Sequence, residues 1–477
     1  MEVLFIAQGF PPLQASGSLR SGGFANALPA HGVSLRVVAG EAKERAGAVV
    51  EYTWKDHPDW EEVVRFDWGM ARAWSRWEKQ LLRIPLGSTW VRRRRSQTVA
   101  SALIKRCARV LEASPISAIY VSVAPAEGLL AAVELRKRFG LPVIADLRDP
   151  WSYAPPIPYR HWLDFVLERR LERRVLQQCD MVVVPAERSA ELLTRHLNVP
   201  RDRVEVVPNG YNEADFVDEE STDGMLESGK FHVVYTGEYS ASKENATGLS
   251  AHFKNLFRGL GFLHDPLACD RSARSLNWFL KAVTELIEED KSLAKEFRIH
   301  VVGAKKDKSD AAVERFSHPE CIELHPRVPA KQAASMAGQA DLLLLNQNHY
   351  SLAGEDFCVA IPAKVYTYLR SGSRILACVQ PSETRDLVAE AKAGPCVDPR
   401  SVDEIKAALR DEIREWRAAG RQRRSRNEIG FDVGRFDRSQ LAGTLADRLK
   451  QLMARSEANP SNRPDPIRSV AESPANP

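Results

Sequence analysis

Two successive series of short apolar runs, each run closed by a glycine or proline turn, constrain this chain more than any other feature of its sequence. In the first series residues 3–7 are apolar and end on Gly9, Pro11 and Pro12. They read as a buried strand. Residues 21–29 then read as a helix opened by Gly22 and Gly23, and residues 33–39 as a second strand. Strand, glycine loop, helix, strand is the start of a doubly wound parallel sheet. Apolar runs at 118–123, 142–145, 181–184 and 204–207 continue it. Residues 1–207 are therefore expected to form a first Rossmann-like domain.

A turn, Pro208-Asn209-Gly210, follows, and the aperiodic polar stretch to Lys230 reads as a hinge and linker over 208–230. The second series runs through 231–236, 298–302, 322–324, 341–345 and 374–378. It predicts a second Rossmann-like domain over 231–435, interrupted at about 240–270 by an insertion rich in Ser, Gly, Asn and His. Leu441, Leu445, Leu449 and Leu452 share one helical face, so a terminal helix is expected over 436–455. Residues 456–477 carry little to bury and read as a disordered tail. The fold class is α/β, with two Rossmann-like domains facing across a cleft. Ligands of such sheets bind outside the carboxyl ends of the strands.

Composition narrows the function. A net charge of +4 over 477 residues is too small for bulk nucleic-acid binding, and no nucleic-acid-binding motif appears. The seven cysteines (107, 179, 269, 321, 358, 378 and 396) have no zinc-site or redox-pair spacing. Reduced thiols in a cytoplasmic protein are expected. The amino terminus lacks the basic start and unbroken apolar core of a signal peptide. No run approaches the roughly 20 apolar residues that span a bilayer.

These pieces, in this order, resemble the GT-B glycosyltransferases, and among them the family 4 type that builds bacterial surface polysaccharides. The resemblance rests on GFPPLQASGSLRSGGFANALPAHGVSLRVV near the start, DLRDPW at 146–151, VEVVPNGYNEADF at 204–216, VYTGEYS at 234–240, VVGAKK at 301–306 and IPAKVYTYLRSGSRILA at 361–377. It covers about residues 1–450 without the insertion. It implies the GT-B fold and retaining transfer of a sugar from a nucleotide-sugar co-substrate to a glycan or lipid-linked acceptor, with no cofactor. Two places depart from the family pattern. The two glutamates many members carry fall here at Val359 and Thr367, and the usual His-Asp of the N-domain is Arg148-Asp149.

Transfer from a nucleotide sugar requires the leaving diphosphate to be stabilised by a metal, or by cationic side chains and helix N-termini. The chain has no Asp-x-Asp and no His/carboxylate cluster in sequence, so no metal is expected. Donor contacts are expected instead from Arg274, Lys305 and Lys364, with Gly22 and Gly23 bringing backbone amides close to phosphate or sugar and Glu355 meeting sugar hydroxyls. Lys306 reads as a surface charge. GSLRSGG does not fit the dinucleotide fingerprint G-x-G-x-x-G, which argues against an NAD enzyme. Asp149, just past the 142–145 run, is placed to orient the acceptor hydroxyl or accept its proton, and Arg148 to contact phosphate or position Asp149. The plainer reading of Asp149 is a turn residue before Pro150.

Six of the ten tryptophans lie between Trp54 and Trp90. Trp74, Trp77 and Leu81 fall at helical spacing among Arg72, Arg76, Lys79 and Arg83, and Arg92–Arg95 follow. This pattern suits an anionic membrane surface, so the protein is expected in the cytoplasm, peripheral on the inner membrane face. Two other readings stand beside a glycosyltransferase: a catalytically inactive GT-B-type sugar-nucleotide or glycan-binding protein, suggested by Val359 and Thr367, and a GT-B-type sugar-nucleotide epimerase.

Overall fold

A computed structural model of the chain describes residues 1–11, 16–40, 63–66, 75–82, 84, 86–123, 126–153, 162–216, 226–237, 267–303, 311–352, 355–424 and 430–458. The chain divides into two compact units at Val207/Pro208, and residues from Ala442 onward belong to the first.

The first unit is built on a seven-stranded sheet: β1 Glu2–Ala7, β2 Ser34–Gly40, β3 Val64–Phe66, β4 Ala118–Val123, β5 Val143–Leu147, β6 Met181–Val184 and β7 Val204–Val206. Their order is β3-β2-β1-β4-β5-β6-β7, and every pairing is parallel. The sequence dictates this. All six residues of β4 and all four of β6 are buried, as near-continuous apolar strands must be when helices cover both faces. The helices are α1 Ser16–Ala27, α3 Gly87–Ala113, α4 Glu127–Phe139, α5 Trp162–Leu176 and α6 Glu187–Leu197, with the short α2 Arg76–Leu81. The helix after β1 starts at Ser16. Gly22 and Gly23 are buried within it and do not open it, a correction to the expectation above.

The second unit repeats the plan. β8 Phe231–Thr236, β10 Phe297–Val302, β11 Ile322–His325, β12 Leu342–Asn346, β15 Arg374–Cys378 and β16 Cys396–Val397 form a parallel sheet in the order β11-β10-β8-β12-β15-β16. Its core packs Phe231, Val233 and Tyr235 with Phe297, Ile299, Leu344, Leu376 and Trp416, the last contributed by the helix Val402–Ala418. A separate three-stranded antiparallel sheet, β14-β13-β9, joins β9 Leu267–Asp270, β13 His349–Leu352 and β14 Glu355–Asp356. The body of the expected insertion, 238–266, and the tail from 459 lie outside the described residues. The terminal helix is Arg438–Ala458, burying Leu441, Leu445 and Leu449.

Candidate functional site

In the second unit the chain leaves β8 and β10 through two glycines, Gly237 at φ 99° and Gly303 at φ 103°. This left-handed region is one that L side chains rarely adopt. The Gly237 amide donates to the Val302 carbonyl at 2.7 Å and the Gly303 amide to the His325 carbonyl at 3.1 Å. The turns pack together closely: a Cβ on Gly303 would lie 3.4 Å from Gly237 Cα. Bare backbone therefore borders the next element, because a Cβ on Gly237 would lie 3.6 Å from Lys364 Nζ.

Lys364 opens the helix Lys364–Ser371, whose N-cap Ala363 supplies no side-chain cap. Its Val365 and Tyr366 amides already donate to the Pro362 and Ala363 carbonyls, at 3.1 and 3.3 Å, so it is the helix dipole that favours an anion here. The ammonium sits 3.7 Å from the centroid of the Tyr235 ring. Nζ is buried and has no hydrogen-bond acceptor among the described residues. Its pKa is driven well below the usual lysine value, first by burial and then by the neighbouring charge of Arg274. Tyr368 fixes the helix against the sheet: its hydroxyl accepts from the Thr236 amide at 2.9 Å and donates to the Leu344 carbonyl at 3.4 Å. Arg274 closes a one-turn 3-10 helix, Arg271–Arg274, capped by Asp270. Asn346, at the end of β12, donates to the carbonyls of Arg274 and Ser275, each at 3.2 Å. Asn209 donates to the carbonyl of Ile361 at 3.3 Å. Two cations, a helix N-terminus and glycine backbone thus meet at the carboxyl ends of strands, an arrangement suited to a diphosphate.

Other expected donor residues fare differently. Lys305 and Lys306 lie outside the described residues. Glu355 is exposed on the short hairpin β13–β14, and the neighbouring Asp356 carboxylate is 3.1 Å from His349 Nε2. Gly22 and Gly23 sit seven and eight residues into α1, where backbone amides bond to carbonyls four residues back, so they do not offer free donors. The signal for Gly237 and Gly303 was present in the sequence as glycines at strand tips; their contact with each other was not.

In the first unit Arg20 is 1% exposed and Asp146 equally buried. Arg20 Nε donates to both Asp146 oxygens at 3.1 and 3.0 Å, Nη2 donates to Oδ1 at 2.9 Å, and Nη1 donates to the Val207 carbonyl at 3.0 Å. The Phe24 ring lies beneath it at 4.8 Å. Arg20 is tied to its own fold. Arg148 lies against the first turn of α1, where a Cβ on Gly17 would overlap its guanidinium. Burial lowers the Arg148 pKa, opposed by Asp149 and Asp146. Burial raises Asp149 to about 6, opposed by Arg148. Beyond Pro150, the buried Glu172 of α5 accepts from the amides of Trp151 at 2.8 Å and Ser152 at 3.1 Å and bonds the Ser152 hydroxyl. Burial raises Glu172 to about 7. Glu172 faces inward among four arginines of which three, Arg170, Arg173 and Arg174, are exposed.

The Trp/Arg segment is only partly as expected. Trp74, Arg72 and Arg83 lie outside the described residues, and α2 begins at Arg76 behind a Ser75–Glu78 capping box. Trp77 and Trp90 are 47% and 50% exposed, with ring centroids 6.3 Å apart. Ile84 and Leu86 are exposed beside them in sequence. Of Arg92–Arg95 only Arg94 is exposed, stacked over Trp90 at 5.3 Å. Arg93 instead donates to the Leu167 carbonyl at 3.0 Å, and Arg92 and Arg93 both hold down the pKa that burial raises at Glu168. Four consecutive helical residues point around the axis, so they do not form one lipid-facing row.

Residues 19–210 match the family model described as "Glycosyl transferase 4-like domain". No curated protein matches the sequence significantly. Among solved structures, the chain is similar to sucrose-phosphate synthase from Thermosynechococcus elongatus, at 13% identity and TM-score 0.62, covering 95% of this chain and 100% of that one. It is similar to an α,α-trehalose 6-phosphate synthase from Burkholderia multivorans, at 11% identity and TM-score 0.54, covering 96% and 99%. It is also similar to a UDP-GlcNAc 2-epimerase from Neisseria meningitidis, solved with UDP-GlcNAc bound, at 12% identity and TM-score 0.52, covering 94% and 100%. Among the described residues no helix is long and apolar enough to cross a membrane. The chain has the GT-B fold, and its residues 19–210 match the glycosyl transferase 4-like domain.

Proposed function

We propose that the protein is a glycosyltransferase that moves a sugar from a nucleotide-sugar donor to a glycan or lipid-linked acceptor without a metal at the donor phosphates. The observation that carries this reading is the buried Lys364 ammonium, which has no acceptor among the described residues and has Arg274 as its charged neighbour. A buried cation is costly unless an anion meets it. A diphosphate at the head of the Lys364 helix supplies that anion, and it gains most as the leaving group develops charge. Asp149, raised to about 6, is tuned to orient the acceptor hydroxyl or accept its proton near neutral pH. Glu172 positions the turn that follows it.

For the acceptor we favour a lipid-linked one, reached by docking on an anionic membrane. The half-exposed Trp77 and Trp90, with exposed Arg76, Lys79 and Arg94 around them, support this.

The test is turnover by purified protein against a panel of nucleotide sugars with lipid-linked and soluble glycan acceptors, with excess chelator present. Acceptor-dependent release of nucleoside diphosphate is expected. Acceptor-free rearrangement of the donor would favour the epimerase reading, motivated by the epimerase structure above. Donor binding without any turnover would favour the inactive reading, motivated by Val359 and Thr367.

A further inference from the structure

The second unit carries a group of histidines that the proposed transfer does not use. His232 in β8, His300 in β10 and His325 in β11 form a chain across three adjacent strands ending at the sheet edge. His232 Nε2 lies 2.7 Å from the Glu227 carbonyl, His232 Nδ1 lies 2.9 Å from His300 Nε2, and His300 Nδ1 lies 3.1 Å from His325 Nε2. A carbonyl only accepts, so His232 carries its proton on Nε2 and presents a lone pair at Nδ1. His300 must then donate from Nε2, which leaves a lone pair on Nδ1. The backbone thus fixes the tautomer of a buried imidazole, 3% exposed, two rings away. That lone pair points toward His325 and toward Glu323, the residue paired with His300 in the β10–β11 register. Glu323 Oε2 is 3.5 Å from His300 Nδ1 and 3.8 Å from His325 Nε2.

We propose that His300 Nδ1, His325 Nε2 and Glu323 bind a divalent transition-metal ion of the zinc class, with His232 as the residue that orients His300. The three donor atoms stand 3.1, 3.5 and 3.8 Å apart. Neighbouring ligands of a tetrahedral ion with bonds of about 2.0–2.1 Å stand about 3.3 Å apart, so sub-ångström adjustments of two partly exposed side chains complete the site. Two imidazoles and one carboxylate suit zinc over magnesium or calcium, which prefer all-oxygen shells. The fourth position faces outward, because Glu323 is exposed and His325 is half-buried. The sequence showed no such cluster because its members lie 23 and 25 residues from His300, and only parallel pairing of β10 with β11 joins them. The ion would clamp the edge strand β11 to its neighbour.

The experiment titrates chelator-stripped full-length protein with Zn²⁺ in competition with a chromogenic chelator, and with Co²⁺ read by visible ligand-field absorption. His325→Ala and Glu323→Gln alter partly exposed side chains and leave the fold intact, which melting curves check. Wild type is expected to bind one equivalent of Zn²⁺ and to give a tetrahedral Co²⁺ spectrum. Each of the two variants should weaken binding at least tenfold, and His232→Phe should weaken it about 10- to 100-fold, as loss of an orienting partner does. Magnesium in excess should not compete. Failure of the wild type to bind zinc stoichiometrically, or zinc binding by both ligand variants as tight as wild type, would leave a hydrogen-bonded histidine relay and overturn the proposal.

Discussion

Arg20 and Lys364 are both buried cations near the carboxyl ends of parallel strands, and they are opposite cases. Arg20 has a bidentate carboxylate, a carbonyl and an aromatic face, so its charge is fully met within the first unit. Lys364 has an aromatic face and another cation nearby, and no hydrogen-bond acceptor among the described residues. Burial alone therefore does not mark a binding residue. What distinguishes the two is whether the fold itself supplies the counter-charge. A satisfied buried pair holds structure together; an unsatisfied buried cation fits a ligand's charge.

The largest effect tests the satisfied half. Arg20→Ala strands Asp146 in the core and should cost about 3–5 kcal/mol of unfolding free energy, measured by denaturant titration. A loss within about 0.5 kcal/mol, with donor binding impaired instead, would move Arg20 to the ligand side of the comparison.

Next is the turn behind Asp149. Glu172→Ala leaves the Trp151 and Ser152 amides without their acceptor and should cost about 1–3 kcal/mol for each donor left unsatisfied. Because burial raises Glu172 to about 7, its folded pKa lies above the unfolded value of about 4.3. The folded state then holds the extra proton, so this group's contribution to stability falls as pH rises from about 4 to about 7. Glu172→Gln should flatten that slope in melting curves. An unchanged slope would mean that the carboxyl does not titrate in this window.

Asp149 gives a smaller, sharper readout. With its pKa raised to about 6 and the carboxylate as the working form, kcat/KM should be flat above about pH 7 and fall about tenfold by pH 5. Asp149→Asn should abolish that limb. A limb that persists in the variant would assign it to another group.

The smallest effect concerns the exposed face. Trp77→Ala with Trp90→Ala should reduce binding to vesicles of phosphatidylglycerol and phosphatidylcholine severalfold at every salt concentration. Arg94→Ser should reduce only the salt-sensitive part, about 1 kcal/mol for one cation. Wild type that ignores such vesicles at low salt removes the membrane from the account.

Much of the fold was legible because parallel strands buried on both faces leave continuous apolar runs. Residues 181–184, 231–236 and 374–378 are strands with the same ends in sequence and structure. Harder to read were features set by tertiary partners. The helix after β1 starts at Ser16, ahead of the glycines, because backbone conformation and not glycine content decides the turn. The antiparallel strands β9, β13 and β14 are short and partly polar, so they leave little pattern. In the candidate site, Lys364 and Arg274 were identifiable as cations at expected helix starts. That Lys364 is buried and Arg20 neutralised depended on Tyr235 and Asp146, residues remote from them in sequence. Glu172 was hidden within a run of arginines for the same reason.

Donor binding by Lys364→Ala, measured by calorimetry beside its melting curve, tests the central claim most directly. Removing a charge-assisted contact to a diphosphate, worth about 1.5–3 kcal/mol, should weaken binding of the cognate nucleotide sugar about 10- to 150-fold. Removing a buried cation that the fold leaves without an acceptor should leave the melting temperature unchanged or raised. The depressed pKa adds a signature: an anion beside Lys364 raises it, so wild-type binding in alkaline buffer should take up a proton, and the variant should not. Unchanged donor affinity together with a lowered melting temperature would contradict the account, because Lys364 would then be a structural cation like Arg20.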